Sequence, residues 1–345
     1  MKQQRSQCPR RDTTWLTMWF LLFTSVLGAP VACYAHSGRL IMEYAPIVHY
    51  LDISRTNCSP SRLSPMVARL PAKHKQWIAG VRVLDPAIVY GAYACVQWLI
   101  RHGYDEAITN PDLGYDSAID AAGFSDHCSA RMIRLLVRHG ANPHSTLALG
   151  AAALQGAYRC VHLLLQLGVP PNPINHHAPP LVGAVIYSDN VGHLGRVLPL
   201  LLRWGADPNR WQGGPVLPLF LAVGYYDVRE SCAPCVRLLL ERGADPNAID
   251  RRGQTALLWG LRPGYVTTMA IMRMLVRKGA NVNLADPKTG ETPLMAAAAL
   301  GNREVVDYLL RQGAERCVRD DRGWTAADYA RVAHHESMAT ELACH

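Results

Sequence analysis

Apolar segments with helical periodicity recur along the chain, and each of them ends at a glycine. The spacing between successive glycines is 28 to 38 residues, with a mean of 35. A glycine at a helix C-terminus adopts the left-handed conformation without a steric cost, and a preceding Arg, Lys or His complements the helix dipole. The pattern therefore predicts helices that end at Gly103, Gly140, Gly168, Gly205, Gly243, Gly279 and Gly313.

A second apolar segment follows each polar turn and opens with Thr or Ser followed by Pro or Ala. The clearest examples begin at Thr255, Thr292 and Thr325. Threonine is a good N-cap and proline fits the first helical turn, so each unit is predicted to be a pair of helices. These units, with the GADPN segment from Gly243 and the DPKTGETPL segment from Asp286, resemble the ankyrin repeat.

The resemblance covers residues 85–345 and implies an all-α solenoid of seven or eight helix–turn–helix repeats with short hairpin fingers. The short interval between Gly140 and Gly168 predicts a reduced finger before Thr146. Longer links between paired helices are expected at 188–195, 224–234 and 263–268. Residues 36–84 lack the repeat pattern and are interpreted as an N-terminal cap. A degenerate capping repeat is expected from about residue 320.

The first 35 residues have the pattern of an export signal. Four basic residues precede an uncharged run from Trp15 to Ala35 that ends in small residues. This arrangement is typical of a cleaved secretory signal peptide. Two alternatives stay open: a retained membrane anchor, since the run could span a bilayer, and a lipoprotein signal with acylation at Cys33. We expect a periplasmic location in each case.

Amino-acid composition adds little to the predictions from the repeat pattern. The chain has 345 residues, a formal charge of +8, and 49% hydrophobic residues, so it is neither a disordered tail nor a coiled coil. Its basic residues are mostly Arg, a bias often found in bacteria. Residues 1–35 hold four basic residues and one acidic residue, so the remainder carries +5. Because the basic residues are dispersed along the repeats, we expect no nucleic-acid partner and only a mild preference for an acidic protein surface.

Cysteine and histidine are the residues that could carry chemistry. Cys232 and Cys235 form a C-x-x-C motif at a predicted helix start, which suggests either a thiol oxidoreductase or a structural disulfide. Cys95, Cys160 and Cys235 occupy the same repeat position, where a small apolar residue packs. Because stacked repeats are about 10 Å apart, these three should not pair with one another. No catalytic, cofactor or metal motif is found, and we expect none of these functions.

Ankyrin-type arrays recognise proteins with the finger tips and the inner helices. The resemblance therefore implies a set of partner-binding positions, rich in Trp and Arg, on the fingers and loops. They are Trp211, Gln212, Ile249, Arg251, Arg252, Gln254, Lys288, Glu291, Arg322 and Trp324, with Tyr225 and Tyr226 in a second patch that also holds Tyr187 and Trp259. Trp211, and the members of the second patch, could instead be packed against their neighbours.

Together these observations predict a non-enzymatic bacterial envelope protein, monomeric when free, that binds and neutralises or stabilises another protein. Immunity proteins against secreted toxins and periplasmic enzyme-protecting proteins of the ankyrin type are similar in this respect. Two alternatives remain: a secreted effector that imitates host ankyrin scaffolds, and a thiol oxidoreductase that uses Cys232 and Cys235.

Overall fold

The computed structural model shows a stack of helix pairs. It describes residues 59–68, 84–104, 108, 118–124, 128–144, 146–172, 179–190, 195–210, 217–224, 232–250, 253–262 and 269–344. Within these ranges the secondary structure is helical, apart from one isolated antiparallel bridge between Ile249 and Thr255. The prediction of an all-α ankyrin solenoid is confirmed.

The described residues form eight helix pairs, preceded by a helix that packs on the first outer helix. The preceding helix is α1 (Pro60–Ala68). The inner helices are α2 (Asp85–Val89), α4 (Ala118–Phe124), α6 (Thr146–Leu154), α8 (Pro180–Asn190), α10 (Pro218–Gly224), α12 (Ala256–Trp259), α14 (Pro293–Ala299) and α16 (Ala326–Val332). The outer helices are α3 (Tyr93–Arg101), α5 (Ala130–Arg138), α7 (Tyr158–Gln166), α9 (Val197–Arg203), α11 (Ala233–Glu241), α13 (Met269–Arg277), α15 (Arg303–Arg311) and α17 (Glu336–Glu341).

The glycines that end the outer helices behave as the sequence predicts. All seven have a positive φ, between 81° and 96°. Their amides and those of the residues that follow bond back to carbonyls of the last helical turn, as Gly243 does to Leu240. This geometry satisfies carbonyl groups that the helix end would otherwise leave unpaired.

Small side chains on the inner helices allow neighbouring repeats to stack closely. Helix α14 has the sequence PLMAAAA, and all of its residues except Ala299 are buried. In α4, a Cβ atom on Gly123 would lie 2.5 Å from the Cα atom of Ala148 in α6. Burial of the inner helices and of one face of each outer helix produces a continuous core along the array.

Asparagine side chains tie consecutive turns together. Asn247, four residues after Gly243, donates from Nδ2 to the Gly279 carbonyl at 2.8 Å and accepts from the Asn281 amide at 2.7 Å. The same pair of bonds is made by Asn172, Asn209 and Asn283. Each side chain satisfies the exposed carbonyl of the glycine that ends the next outer helix. The GADPN segment therefore encodes the connection between repeats.

The position equivalent to these asparagines holds Cys317 in the last turn. Cys317 follows Gly313 by four residues, as Asn283 follows Gly279. Cys317 instead forms a disulfide with Cys344, with the Cα atoms 5.7 Å apart. This bond attaches the residues after α17 to the end of the stack.

Two further disulfides lie inside the array. Cys128 bonds Cys160 in the next repeat, with Cα atoms 6.2 Å apart, and Cys232 bonds Cys235 at the start of α11, at 5.2 Å. Cys95 is also disulfide-bonded. Since Cys160 and Cys235 have other partners, the prediction that the three register-equivalent cysteines do not pair with one another is confirmed.

The repeat around α6 has the reduced finger that its short spacing predicts, because α6 begins at Thr146, only six residues after Gly140. The links expected to be long join α8 to α9, α10 to α11 and α12 to α13, and most of their residues lie outside the described ranges. The interpretations of residues 1–35 and Cys33 also concern residues outside these ranges, as do those of most of 36–84. No helix in the described part of the chain is long and apolar enough to cross a membrane.

Candidate functional site

Three consecutive fingers form a regular surface of the array. Each is closed by a hydrogen bond from the amide of its first aspartate to a carbonyl group at the end of the finger. The Asp250 amide donates to the Gln254 carbonyl at 3.0 Å, and Asp320 donates to Trp324 at 3.0 Å. Between them, the Asp286 amide donates to Glu291 at 2.9 Å. A glycine with positive φ turns each finger: Gly253, Gly290 and Gly323.

Each finger is fixed by the aspartate that begins it, because its side chain points inward. The carboxylates of Asp250, Asp286 and Asp320 are buried, at 4% to 6% exposure. In each, Oδ1 accepts a backbone amide of its own finger at 2.8 to 2.9 Å, from Gln254, Lys288, Arg322 or Trp324. The aspartate side chain thus accepts hydrogen bonds from backbone amides that would otherwise be unpaired in the turn. These bonds hold the finger backbone in one conformation.

The second carboxylate oxygen of each aspartate bonds a side chain. Trp259 Nε1 donates to Asp250 Oδ2 at 3.2 Å, and the Tyr329 hydroxyl donates to Asp320 Oδ2 at 2.9 Å. Both aromatic residues lie four positions after the threonine at the start of their inner helix. The equivalent residue of the middle repeat is Ala296, which has no donor.

In the middle repeat, Gln254 of the preceding finger supplies the missing donor. Its Nε2 donates to Asp286 Oδ2, and its Oε1 accepts from Arg262 Nε at 3.2 Å. Gln254 is therefore only 2% exposed. The prediction that it lies on the exposed finger surface is wrong, because its amide joins two fingers instead of facing solvent.

The last finger carries a compact charged cluster. Arg322 donates from Nε to Asp320 Oδ2 at 3.1 Å and from Nη2 to the Tyr329 hydroxyl at 2.6 Å. Its guanidinium also lies 4.5 Å from the centre of the Trp324 ring. Trp324, predicted to be exposed, is half-buried because it packs against this guanidinium and edge-on to Tyr329.

Two pKa values reflect this cluster. Burial acts to raise the pKa of Asp320, but hydrogen bonds from the Trp324 amide, Tyr329 and Arg322 outweigh it, and the pKa is lowered. Burial, and then the hydrogen bond to Asp320, raise the pKa of Tyr329 to about 12. Asp320 is therefore held ionised and Tyr329 neutral at physiological pH.

Glu291 lies between the middle and last fingers and is half-buried. Burial raises the pKa of its carboxyl group; Arg262 and Arg322 lower it, whereas Asp286 and Asp320 raise it. The side chain thus sits among two cationic and two anionic neighbours.

The remaining predicted positions divide into exposed and undescribed residues. Ile249 is 49% exposed, and Lys288 and Arg322 are exposed. We define the finger surface as the outward parts of Ile249, Lys288, Glu291, Arg322 and Trp324. The predicted positions outside the described ranges are Trp211, Gln212, Arg251, Arg252, Tyr225 and Tyr226.

In the second predicted patch, the structure places Trp259 and Tyr187 against the array. Trp259 is 5% exposed. Tyr187 is half-buried, and its ring fills the space next to Gly156. Arg262 and Tyr329 were not predicted, although the shared position of Trp259 and Tyr329 after the capping threonine is a signal present in the sequence.

The C-x-x-C motif is oxidised and buried. Cys232 is 6% exposed and Cys235 is not exposed. Thiol–disulfide exchange requires an attacking thiolate to reach one of the sulfur atoms, so this burial disfavours the oxidoreductase interpretation. The Cys235 amide donates to Cys232 Sγ at 3.2 Å, which caps the start of α11.

Comparisons with known proteins agree with this geometry. A model of three ankyrin repeats matches residues 265–345, and a single ankyrin-repeat model matches residues 217–251. The chain is 36% identical over 107 residues to cyclin-dependent kinase 4 inhibitor B of Homo sapiens, covering 31% of this chain and 75% of that protein. The chain belongs to the ankyrin-repeat proteins.

Other relatives match this ankyrin-repeat protein over smaller shares of their own length. It is 37% identical over 155 residues to ankyrin repeat domain-containing protein 63 of Homo sapiens, covering 44% of this chain and 39% of the relative. It is 36% identical over 131 residues to glycerophosphocholine phosphodiesterase gde1 of Schizosaccharomyces pombe, covering 37% and 11%. The match thus spans less than half the length of both relatives. Ankyrin repeats are protein-interaction modules, which is the level of function that this membership supports.

Proposed function

We propose that this ankyrin-repeat protein is a non-catalytic, exported protein that binds another protein through its finger surface. The observation that carries the proposal is the anchoring of three successive fingers by buried aspartates, each with both carboxylate oxygens bonded. The backbone of such fingers is already ordered before binding. Less conformational entropy is then lost on association, which favours tight complexes.

The state of the cysteines supports export. Every cysteine that the structure describes is disulfide-bonded: Cys95, Cys128, Cys160, Cys232, Cys235, Cys317 and Cys344. Disulfides of this kind persist in oxidising compartments and are rare in the cytosol. Together with the signal-like pattern of residues 1–35, they favour the periplasm of a bacterium.

Within that compartment, we propose that the protein neutralises or stabilises its partner, as an immunity or enzyme-protecting protein would. One relative is named as an inhibitor of a kinase, which is a precedent for an ankyrin-repeat protein that controls an enzyme. Arg322 is paired with Asp320, and Lys288 gives the finger surface a further exposed cation, so an acidic group of the partner is favoured next to Lys288.

Two measurements test this proposal. Affinity capture by the folded protein from an envelope extract of its source is expected to yield one stoichiometric protein partner. Mass spectrometry of the protein recovered from cells is expected to show a new N-terminus after Ala35, or a lipid on Cys33. Capture of no protein would contradict the binding role, and a reduced protein located in the cytoplasm would contradict export.

A further inference from the structure

The outer helices of the first four repeats present a basic surface, although the arginines are dispersed in the sequence. Helices α3, α5, α7 and α9 contain no acidic residue. Arg131, Arg159 and Arg196 are exposed at the same repeat position, each two residues before a buried Ile, Val or Leu. Arg101, Arg138 and Arg203 form a second exposed row at the other end of these helices.

Each row has three arginines in four repeats, because Ala94 and Gln166 stand at the remaining positions. The two rows are separated by seven residues along a helix, which corresponds to about 10 Å. No salt bridge within the described part of the chain involves these six arginines. In the later repeats, by contrast, outer-helix arginines pair with acidic residues, as Arg273 does with Glu304 and Arg303 with Glu341. Among the described residues, these six outer-helix arginines therefore have no acidic side chain paired with them.

Aromatic side chains lie among the arginines. Arg131 lies 4.0 Å from the ring centre of Tyr93, and Arg196 lies 4.3 Å from that of Tyr158. Trp204 is 42% exposed and borders an open depression of about 610 Å³ lined also by Tyr158, His162 and Arg203. The corresponding position holds His102, His139, Arg242, Lys278 or Gln312 in five other repeats, so an exposed tryptophan there is exceptional.

We propose that this outer face docks on an anionic phospholipid bilayer. The exposed guanidinium groups can bind phosphate headgroups, and each exposed cation adds attraction to an anionic leaflet. Tryptophan and tyrosine are favoured at the headgroup level, where Trp204 would insert. The rings of Tyr93 and Tyr158 are already covered by guanidinium groups, which disfavours base stacking and hence single-stranded nucleic acid.

The exposed Trp204 favours a membrane over an acidic protein, because tryptophan is enriched at the headgroup level of a bilayer. This inference does not depend on the finger surface, which lies on a different part of each repeat.

Vesicle partitioning of the full chain tests the proposal. For each variant we measure the ratio of the partition coefficients on vesicles with 30% phosphatidylglycerol and on pure phosphatidylcholine. Comparing this ratio between variants removes the contribution of residues 1–35, which is the same in every variant. For the wild type we expect a ratio of at least about ten at low salt that approaches one at high salt. R131Q/R159Q/R196Q is expected to lower it at least about fivefold.

The matched control is R237Q/R277Q/R311Q, which removes three exposed outer-helix arginines from later repeats. It is expected to keep most of the wild-type ratio. Equal ratios for both triple variants would overturn the proposal, as would a wild-type ratio of one. Binding of poly-glutamate that is lost in R131Q/R159Q/R196Q, without any preference for phosphatidylglycerol, would overturn it in favour of an acidic protein partner.

Discussion

At the residue scale, two glycines with similar backbone conformations carry different constraints. Gly243 and Gly290 have φ values of 88° and 71°. A Cβ atom at Gly243 would meet nothing within 4 Å, whereas one at Gly290 would lie 2.9 Å from the Cα atom of Asp320 in the next finger. The left-handed conformation alone restricts the first site, and contact between neighbouring fingers restricts the second as well.

Alanine substitutions should separate these two effects. We expect G243A to cost about 1 kcal/mol through its backbone conformation, and G290A to cost at least about 1 kcal/mol more because the fingers must move apart. Urea unfolding followed by circular dichroism measures both. Equal losses of stability would show that the fingers do not make the close contact described.

The hydroxyl group of Tyr329 should titrate far above its ordinary range, because burial and the bond to Asp320 raise its pKa to about 12. A group whose pKa is raised on folding stabilises the fold fully below its unfolded pKa of about 10. That stabilisation is lost as the pH rises towards 12. The tyrosinate absorbance difference between wild type and Y329F is expected to have its midpoint near pH 12, and a midpoint near 10 would contradict the cluster.

At the element scale, the disulfides should contribute according to the length of chain that they close. Cys128 and Cys160 are 32 residues apart, and Cys232 and Cys235 are 3 apart. In the chain-entropy description, loss of the longer loop costs about 4 kcal/mol and loss of the shorter one about 2 kcal/mol. We expect C128A/C160A to lower the urea midpoint more than C232A/C235A does. The opposite order would assign the main structural role to the C-x-x-C motif.

The helices and their ends were predictable because they depend on local rules. A glycine after an amphipathic segment and a threonine before the next one specify a helix pair regardless of what surrounds it. The seven positive φ angles follow from this. Exposure on a finger is a different kind of property, because it depends on the adjacent repeat. Gln254 is buried because Ala296, in the next repeat, cannot donate a hydrogen bond to Asp286, and Gln254 does so instead. The sequence of the repeat that contains Gln254 does not reveal this.

At the scale of the whole molecule, the stack gathers residues that are dispersed in the sequence. The exposed arginines of the early outer helices form one surface, and the aspartate-anchored fingers of the later repeats form another. Repetition with a fixed spacing explains both, since each repeat places its equivalent residue beside that of its neighbour. Along the sequence the charged residues are dispersed. When they are grouped by their position within the repeat, they fall on two faces of the array.

The central claim is that the finger surface binds the partner protein. The most direct test is the dissociation constant for the captured partner, measured by calorimetry for wild type and for I249D/K288E, which alters two exposed finger side chains. R311E, on the outer helix α15, is the matched control. The proposal predicts at least about tenfold weaker binding for I249D/K288E and wild-type affinity for R311E. Unchanged binding by a folded I249D/K288E would contradict it.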